Sequence, residues 1–303
     1  MKDSTFWPSV PEPALSLVCG GIAGALSRTT VSPMERVKVL QQVQGSTNSY
    51  RHGTLRSIHQ IWQEEGYKGL YRGNGINCVR VVPYSAVQYS VFQALKSALA
   101  DSDGSWSIPR RLFAGTVAGF MSVLATYPMD LVKTRLSVQT AALQNLKHRT
   151  SKEAPPGMWA SMLNIYRTEG GIKALYRGLI PTSLGVAPYT ALNFTIYGKL
   201  KDLVPERARN NPSTALVLGA ISGGVGQTLI YPMDVLRRRF QVATLGGGEM
   251  GFQYKSTPDA LVQIVQREGY VGLYKGWGAN MWKICPSMAV QWMSYDLIRR
   301  VLE

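Results

Sequence analysis

Hydrophobic positions along this 303-residue chain gather into long stretches rather than short alternating ones. Residues 112–129, 178–198 and 210–233 carry no charged side chain, giving runs of 18, 21 and 24. About 20 apolar residues are needed for a helix to cross a bilayer, so each run predicts a spanning helix. Three further apolar segments are interrupted by one base each, Arg28, Arg80 and Lys283. That interruption hides them from a plain hydropathy scan and agrees with a mean hydropathy of only −0.05. Shorter segments between the long ones, such as STPDALVQIVQREG at 256–269, place apolar residues three and four apart and predict amphipathic helices.

The pattern repeats. PMERVK, PMDLVK and PMDVLR begin at Pro33, Pro128 and Pro232. Thirteen residues before each proline stands a glycine with a second one four further on: Gly20 and Gly24, Gly115 and Gly119, Gly219 and Gly223. An acid-glycine element follows each, as EGYKGLYRG, EGGIKALYRG and EGYVGLYKG, ending at Gly73, Gly178 and Gly276. Ten residues past those glycines come Pro83, Pro188 and Pro286. Offsets kept three times over mean a triplicated unit, over 13–104, 105–205 and 211–303. Each unit reads as long helix, short amphipathic helix, long helix. Small residues four apart let membrane helices approach closely. The expected fold is therefore an all-α membrane protein: six transmembrane helices in three tandem repeats with pseudo-threefold symmetry.

In P-x-[DE]-x-x-[KR] the acid and the base lie three residues apart and share a helix face near its end. The proline removes a backbone hydrogen bond and turns that end toward the bundle axis. Threefold symmetry then predicts a ring of ion pairs between units: Glu35 with Lys133, Asp130 with Arg237, Asp234 with Lys38. Such a ring closes one mouth of a central cavity. Desolvation offsets much of the attraction in a buried pair, which leaves a closure that binding energy can open. Gln42 and Gln241, nine residues after their prolines, are placed to brace the ring, whereas Ser137 at the third place is too short.

Where the units differ, an asymmetric solute is read. Seven residues after Gly73, Gly178 and Gly276 stand Arg80, Gly185 and Lys283, and five before the three prolines stand Arg28, Val123 and Gln227. Ionisable residues in membrane spans mark functional sites by default. No carboxylate falls at these depths in the sequence, so the missing anion is read as the solute. Tyr84, Gln88, Tyr189, Asn193 and Gln291 lie one or two turns further along the same faces.

A net charge of +15 calls for an anionic partner. The bases are spread through all three units and form no recognised nucleic-acid module, so nucleic acid is not the expected partner. Cys19, Cys78 and Cys285 have no metal or disulfide spacing and read as small packing residues. His52, His59 and His148 complete no catalytic or metal constellation, so neither an enzyme, a cofactor nor a metal is expected. The start of the sequence has Asp3 and Glu12 but no arginine before Arg28, so any organelle address is expected to be internal.

Three copies of PM[DE]xx[KR] followed by [DE]G and Y[RK]G resemble the mitochondrial carrier family over nearly the whole chain from about Pro13. The resemblance implies inner-membrane transport by alternating access, a short matrix helix per repeat, and a monomer. It makes the PM[DE] ring the matrix-side gate. The family's opposite, cytosolic gate, [FY][DE]xx[KR], falls on FQALK, YGKLK and YDLIR. Lys96, Lys201 and Arg299 are present there, but Asp296 is the one acid, with Gln93 and Gly198 in the other two places. A weak cytosolic gate is implied. The family's solute contacts carry over to Arg28, Arg80, Gly185 with Val186, and Lys283. Glycine followed by an aliphatic residue resembles the adenine-nucleotide carriers, in which the missing side chain leaves room for a flat base. GNGINCVRVVPYSAVQ and PTSLGVAPYTALNF look most like the carrier of adenosine phosphosulfate and its phosphorylated form, with coenzyme A and ATP-Mg/phosphate carriers as open alternatives. Arg72-Gly73, Arg177-Gly178 and Lys275-Gly276 match the family's cardiolipin-binding elements. A second departure is Leu40, where the other repeats have Arg135 and Arg239.

Overall fold

The computed structural model describes residues 12–44, 53–99, 107–145, 157–205, 212–244, 254 and 256–302, and all regular elements among them are helical. Six are long: α1 (Glu12–Val43), α3 (Asn74–Leu99), α4 (Ile108–Asn145), α7 (Leu179–Leu203), α8 (Pro212–Val242) and α10 (Trp277–Leu302). Between the members of each pair lies a short segment: α2 (Thr54–Leu70), α5 (Met158–Thr168) with α6 (Ile172–Leu175), and α9 (Thr257–Glu268) with a 3-10 turn over Tyr270–Tyr274. The start of α9 shows why it forms where it does. Ser256 accepts from the Asp259 N–H at 3.4 Å, and Pro258 sits in the first turn, where a missing N–H costs nothing.

The long helices pack mainly across repeats, α3 along α4, α7 along α8 and α10 along α1, which closes the three units into one bundle. The short helices bury an i, i+4 pair each: Ser57 and Ile61, Ser161 and Ile165, Ala260 and Ile264. Each of these isoleucines seeds an apolar cluster against the motif-bearing stretch of α1, α4 or α8. Burying one such side chain contributes about 2 kcal/mol.

One expectation is corrected here. The proline motifs do not stand at helix ends: α1, α4 and α8 run on to Val43, Asn145 and Val242, past Pro33, Pro128 and Pro232. One missing hydrogen bond is tolerated because the following turns are held by packing and by ties between repeats. Among the described residues, one segment, Pro109–Val138, is long and apolar enough to cross a membrane by length and composition.

Candidate functional site

The three acids and three bases of the motifs meet between repeats. Lys133 donates to Glu35 at 2.8 Å, Arg237 to Asp130 at 2.7 Å and Lys38 to Asp234 at 3.1 Å. A cation in each pair reaches the neighbouring repeat because i, i+3 partners point along the same face of helices that converge. Around the ring, Gln241 donates to Asp130 at 2.8 Å. Gln42 braces less directly, donating to the Tyr231 hydroxyl at 3.0 Å. Ser137 Oγ turns away from the ring to backbone carbonyls, Lys133 O at 2.9 Å and Arg72 O at 3.3 Å.

Each carboxylate also has a partner on the cavity side. Asn77 donates to Glu35 at 3.2 Å, Gln227 to Asp234 at 2.9 Å and Arg80 to Asp130 at 3.0 Å. The expectation that the mid-helix cations have no carboxylate is thus corrected for Arg80, whose side chain is long enough to reach from its own turn to the ring. Arg238 was not singled out by the repeat pattern, because its counterparts are Val39 and Thr134. It donates to Asp130 at 3.2 Å, Thr134 at 2.5 Å and Gln241 at 3.0 Å. Three consecutive arginines at 237–239 were the available signal.

A second belt lies beyond the ring. Arg135 forms a fork with Glu169 at 2.5 and 2.9 Å, and Arg239 one with Glu268 at 2.6 and 2.7 Å. The first repeat has Leu40 instead, and Leu40 is buried in an apolar cluster. Arg36, one helical turn earlier, makes the fork with Glu65, both contacts at 2.7 Å. It also donates to the Gly69 carbonyl. The three arginines share a further contact: Nε donates to a backbone carbonyl of the next repeat, Arg36 to Ser137 at 3.2 Å, Arg135 to Gln241 at 3.0 Å and Arg239 to Gln42 at 3.1 Å. Burial would raise the Glu268 carboxyl, but hydrogen bonds from Arg239 and Lys275 hold it below its ordinary value. Glu169 is likewise raised by burial and lowered more by Arg135 and Thr244.

Those same glutamates take the bases of the Y[RK]G elements. Arg72 lies 3.6 Å from Glu65, Arg177 3.4 Å from Glu169 and Lys275 2.7 Å from Glu268. Gly73, Gly178 and Gly276 all have φ near +80°, a left-handed conformation that disfavours a side chain. A Cβ on Gly276 would come within 2.9 Å of the Lys38 carbonyl and 3.1 Å of the Tyr231 hydroxyl. The loops therefore abut the ring-bearing helices backbone to backbone.

Above the ring lies a chamber of about 330 Å³. Arg28, Lys38, Arg80, Lys133, Arg237, Arg238 and Lys283 line it with Glu35, Asp130 and Asp234, an excess of four positive charges. Arg28 and Lys283 make no ion pair or hydrogen bond among the described residues. A wider cavity of about 1280 Å³ shares Arg28, Arg80 and Arg237 and extends past Tyr84, Tyr89 and Gln291. Tyr189 lines the chamber, whereas Gln88 is exposed and lines neither space. Asn193 packs toward Gly223 and Gly226, with its Oδ1 buried and without a hydrogen-bond partner among the described residues.

Gly185 faces a neighbouring helix. It is buried, and a Cβ there would meet Ile230 at 3.2 Å and Met233 at 3.6 Å, so its missing side chain lets α7 pack on α8. Val186 lies against Gly119, and neither residue lines the two cavities. Among the cysteines, Cys19 is buried but Cys285 is exposed, so the packing expectation fails for Cys285. His52 and His148 lie outside the described residues, and His59 is on α2.

At the other end of the bundle Gln93, Lys96, Gly198, Asp296 and Arg299 are all exposed, and Lys201 is half-buried. No metal-binding cluster occurs among the described residues.

This arrangement of three equivalent units has counterparts among known proteins. A family profile described as mitochondrial carrier protein matches three times, at residues 9–103, 105–208 and 208–303. An uncharacterized mitochondrial carrier of Saccharomyces cerevisiae is 51% identical over 296 residues, covering 94% of this chain and 91% of that one. A mitochondrial adenine nucleotide transporter of Arabidopsis thaliana is 39% identical over 313 residues, covering 95% and 86%. A mitochondrial carrier protein of Zea mays named CoAc1 is 35% identical over 303 residues, covering 97% and 88%. With three family matches spanning the chain and relatives of this closeness, the protein belongs to the mitochondrial carrier family.

Proposed function

We propose that the protein spans the mitochondrial inner membrane with its six long helices and exchanges an adenine-nucleotide-like anion by alternating access, as a monomer. The observation that carries this reading is the chamber with four surplus cations, closed at one end by three ion pairs. Cations in a low-dielectric enclosure lack the charges to balance them, and a nucleotide bearing several negative charges supplies those. Arg28, Arg80 and Lys283 are the solute-binding residues, with arginine gripping phosphate or sulfate bidentately. Tyr84, Tyr189 and Gln291 finish the lining. Glu35, Lys38, Asp130, Lys133, Asp234 and Arg237, with Gln42 and Gln241, form the matrix gate. Lys96, Lys201, Asp296 and Arg299 form a weaker cytosolic one.

Exposed large apolar residues on every long helix support the spanning reading, among them Leu26, Val79, Phe113, Ile180, Leu229 and Trp292. Arg72-Gly73, Arg177-Gly178 and Lys275-Gly276, which open the even-numbered spans, are cardiolipin-phosphate sites in this reading. Adenosine phosphosulfate and its phosphorylated form are the named solutes, on the resemblance of the α3 and α7 sequences. The adenine nucleotide transporter among the relatives supports the class, and ATP-Mg/phosphate or coenzyme A is the second reading.

The test is uptake by the purified protein in preloaded and unloaded liposomes, across the two phosphosulfates, ADP, ATP-Mg, coenzyme A, sulfate and phosphate. Uptake led by the phosphosulfates and abolished in Arg80→Ala and Lys283→Ala is expected. Uptake led by another nucleotide replaces the named solute, and no uptake of any of them removes the reading.

A further inference from the structure

We propose that Arg80 is the link through which an anion in the cavity unlocks the inner ring: the same guanidinium holds the closed ring together and receives the solute. This rests on the reading that the chain carries a nucleotide-like anion. Arg80 lines both the wide cavity and the chamber at its base. Its guanidinium lies 5.7 Å over the Tyr84 ring and donates to Asp130 Oδ1 at 3.0 Å.

The division of labour on Asp130 gives the contact its leverage. Arg237, Arg238 and Gln241 all donate to Oδ2, at 2.7, 3.2 and 2.8 Å. Oδ1 receives Arg80 alone among the described residues. Asp130 is 1% exposed, so a guanidinium drawn away leaves a buried carboxylate oxygen with neither a protein donor nor water. Such an orphan favours the open ring, in which the oxygen is hydrated.

The other two carboxylates lack this arrangement. Their cavity-side partners are the neutral amides of Asn77 and Gln227, for which a phosphate has far less attraction than for a guanidinium. Arg28 and Lys283, with no ion pair or hydrogen bond among the described residues, draw the anion in. Arg80 changes partner from carboxylate to phosphate, whereas Arg237, which also lines both spaces, shares Oδ2 with Arg238 and Gln241, so its departure leaves that oxygen with donors.

The test labels a buried ring position in the purified full-length chain. Thr134, fully buried beside Asp130, is replaced by cysteine after Cys19, Cys78 and Cys285 are changed to serine. Maleimide labelling is then followed with no nucleotide and with ADP, ATP or coenzyme A. The parent is expected to label slowly and to accelerate several-fold with nucleotide. Arg80→Gln should label fast without nucleotide and gain nothing from it, while Arg80→Lys, which keeps the charge, stays near the parent. Slow labelling of Arg80→Gln overturns the proposal. So does a nucleotide response in Arg80→Gln equal to the parent's, or equally fast labelling of Arg80→Lys, which would mean loosened packing. If Arg80→Gln labels fast but no nucleotide changes the parent, the link stands and the nucleotide reading falls. Asp130→Asn reads the contact from the other end, by the binding of ATP and coenzyme A. Relieved of its competitor, Arg80 is expected to bind the nucleotide several-fold more tightly, and an unchanged affinity also overturns the link.

Discussion

At one end of the bundle Glu35, Asp130 and Asp234 each face a cation of the neighbouring repeat at 2.8, 2.7 and 3.1 Å, with a second polar donor behind every carboxylate. At the other end the equivalent places hold Gln93, Gly198 and Asp296, and all three are exposed. The three-pair ring thus lies at one end of the triplicated scaffold. In the proposed transport cycle that difference favours a resting state closed at the ring. The ring end has the ion pairs, the braces and the fork belt to stay shut by itself, and the opposite end has one acid with which to close. In that proposed cycle the solute pulls open the strong end, while the weak end opens with little resistance.

The comparison breaks most completely at Asp130. Asp130→Lys places a cation among Arg80, Arg237 and Arg238. Uptake in liposomes is expected to be lost, with a strong fall in melting temperature, because an uncompensated buried charge costs about 3–5 kcal/mol. A smaller loss is expected from Arg36→Leu, which leaves Glu65 without its fork. The Tm should drop by several degrees, and Leu40→Arg in the same chain should recover part of it by restoring the register of the other repeats. If Leu40→Arg recovers nothing, Arg36 is not the substitute for an arginine at 40. Gln93→Glu with Gly198→Glu strengthens the weak end, and initial uptake should slow several-fold; unchanged rates would mean that this end does not limit the cycle. The smallest effect concerns pH. The Glu268 carboxyl is held below its ordinary 4.5, so its contribution to stability is complete above about that pH and lost as pH falls through the lowered value. Thermal melts from pH 7 to pH 4 should therefore be less acid-sensitive in Glu268→Gln than in the parent.

Much of this was legible in the sequence, for a reason that the exceptions make plain. Three copies over-determine whatever they share, so the proline offsets, the pairing Glu35 to Lys133 and its two equivalents follow from symmetry once the segments are taken as helices. The exceptions are residues that leave the common register. Arg36 does the work of an arginine at 40 by reaching one turn along α1, and only side-chain length makes that possible. Arg80 reaches the ring from a position that depth alone assigns to the cavity. Gly185 has the sequence context of a cavity wall but faces α8, because which way a helix is turned about its axis is fixed by packing. Sequence symmetry specifies positions along helices, and these three depend on direction and reach.

The contacts of Arg36, Arg135 and Arg239 with main-chain oxygens carry a last consequence. The receiving carbonyls belong to Ser137, Gln241 and Gln42, so the tie is indifferent to which side chain the receiving residue bears. A joint of this kind works between identical subunits as well as between diverged ones. A side-chain change at Ser137, Gln241 or Gln42 therefore leaves the accepting oxygen in place, and each repeat can vary there without losing its tie to the next.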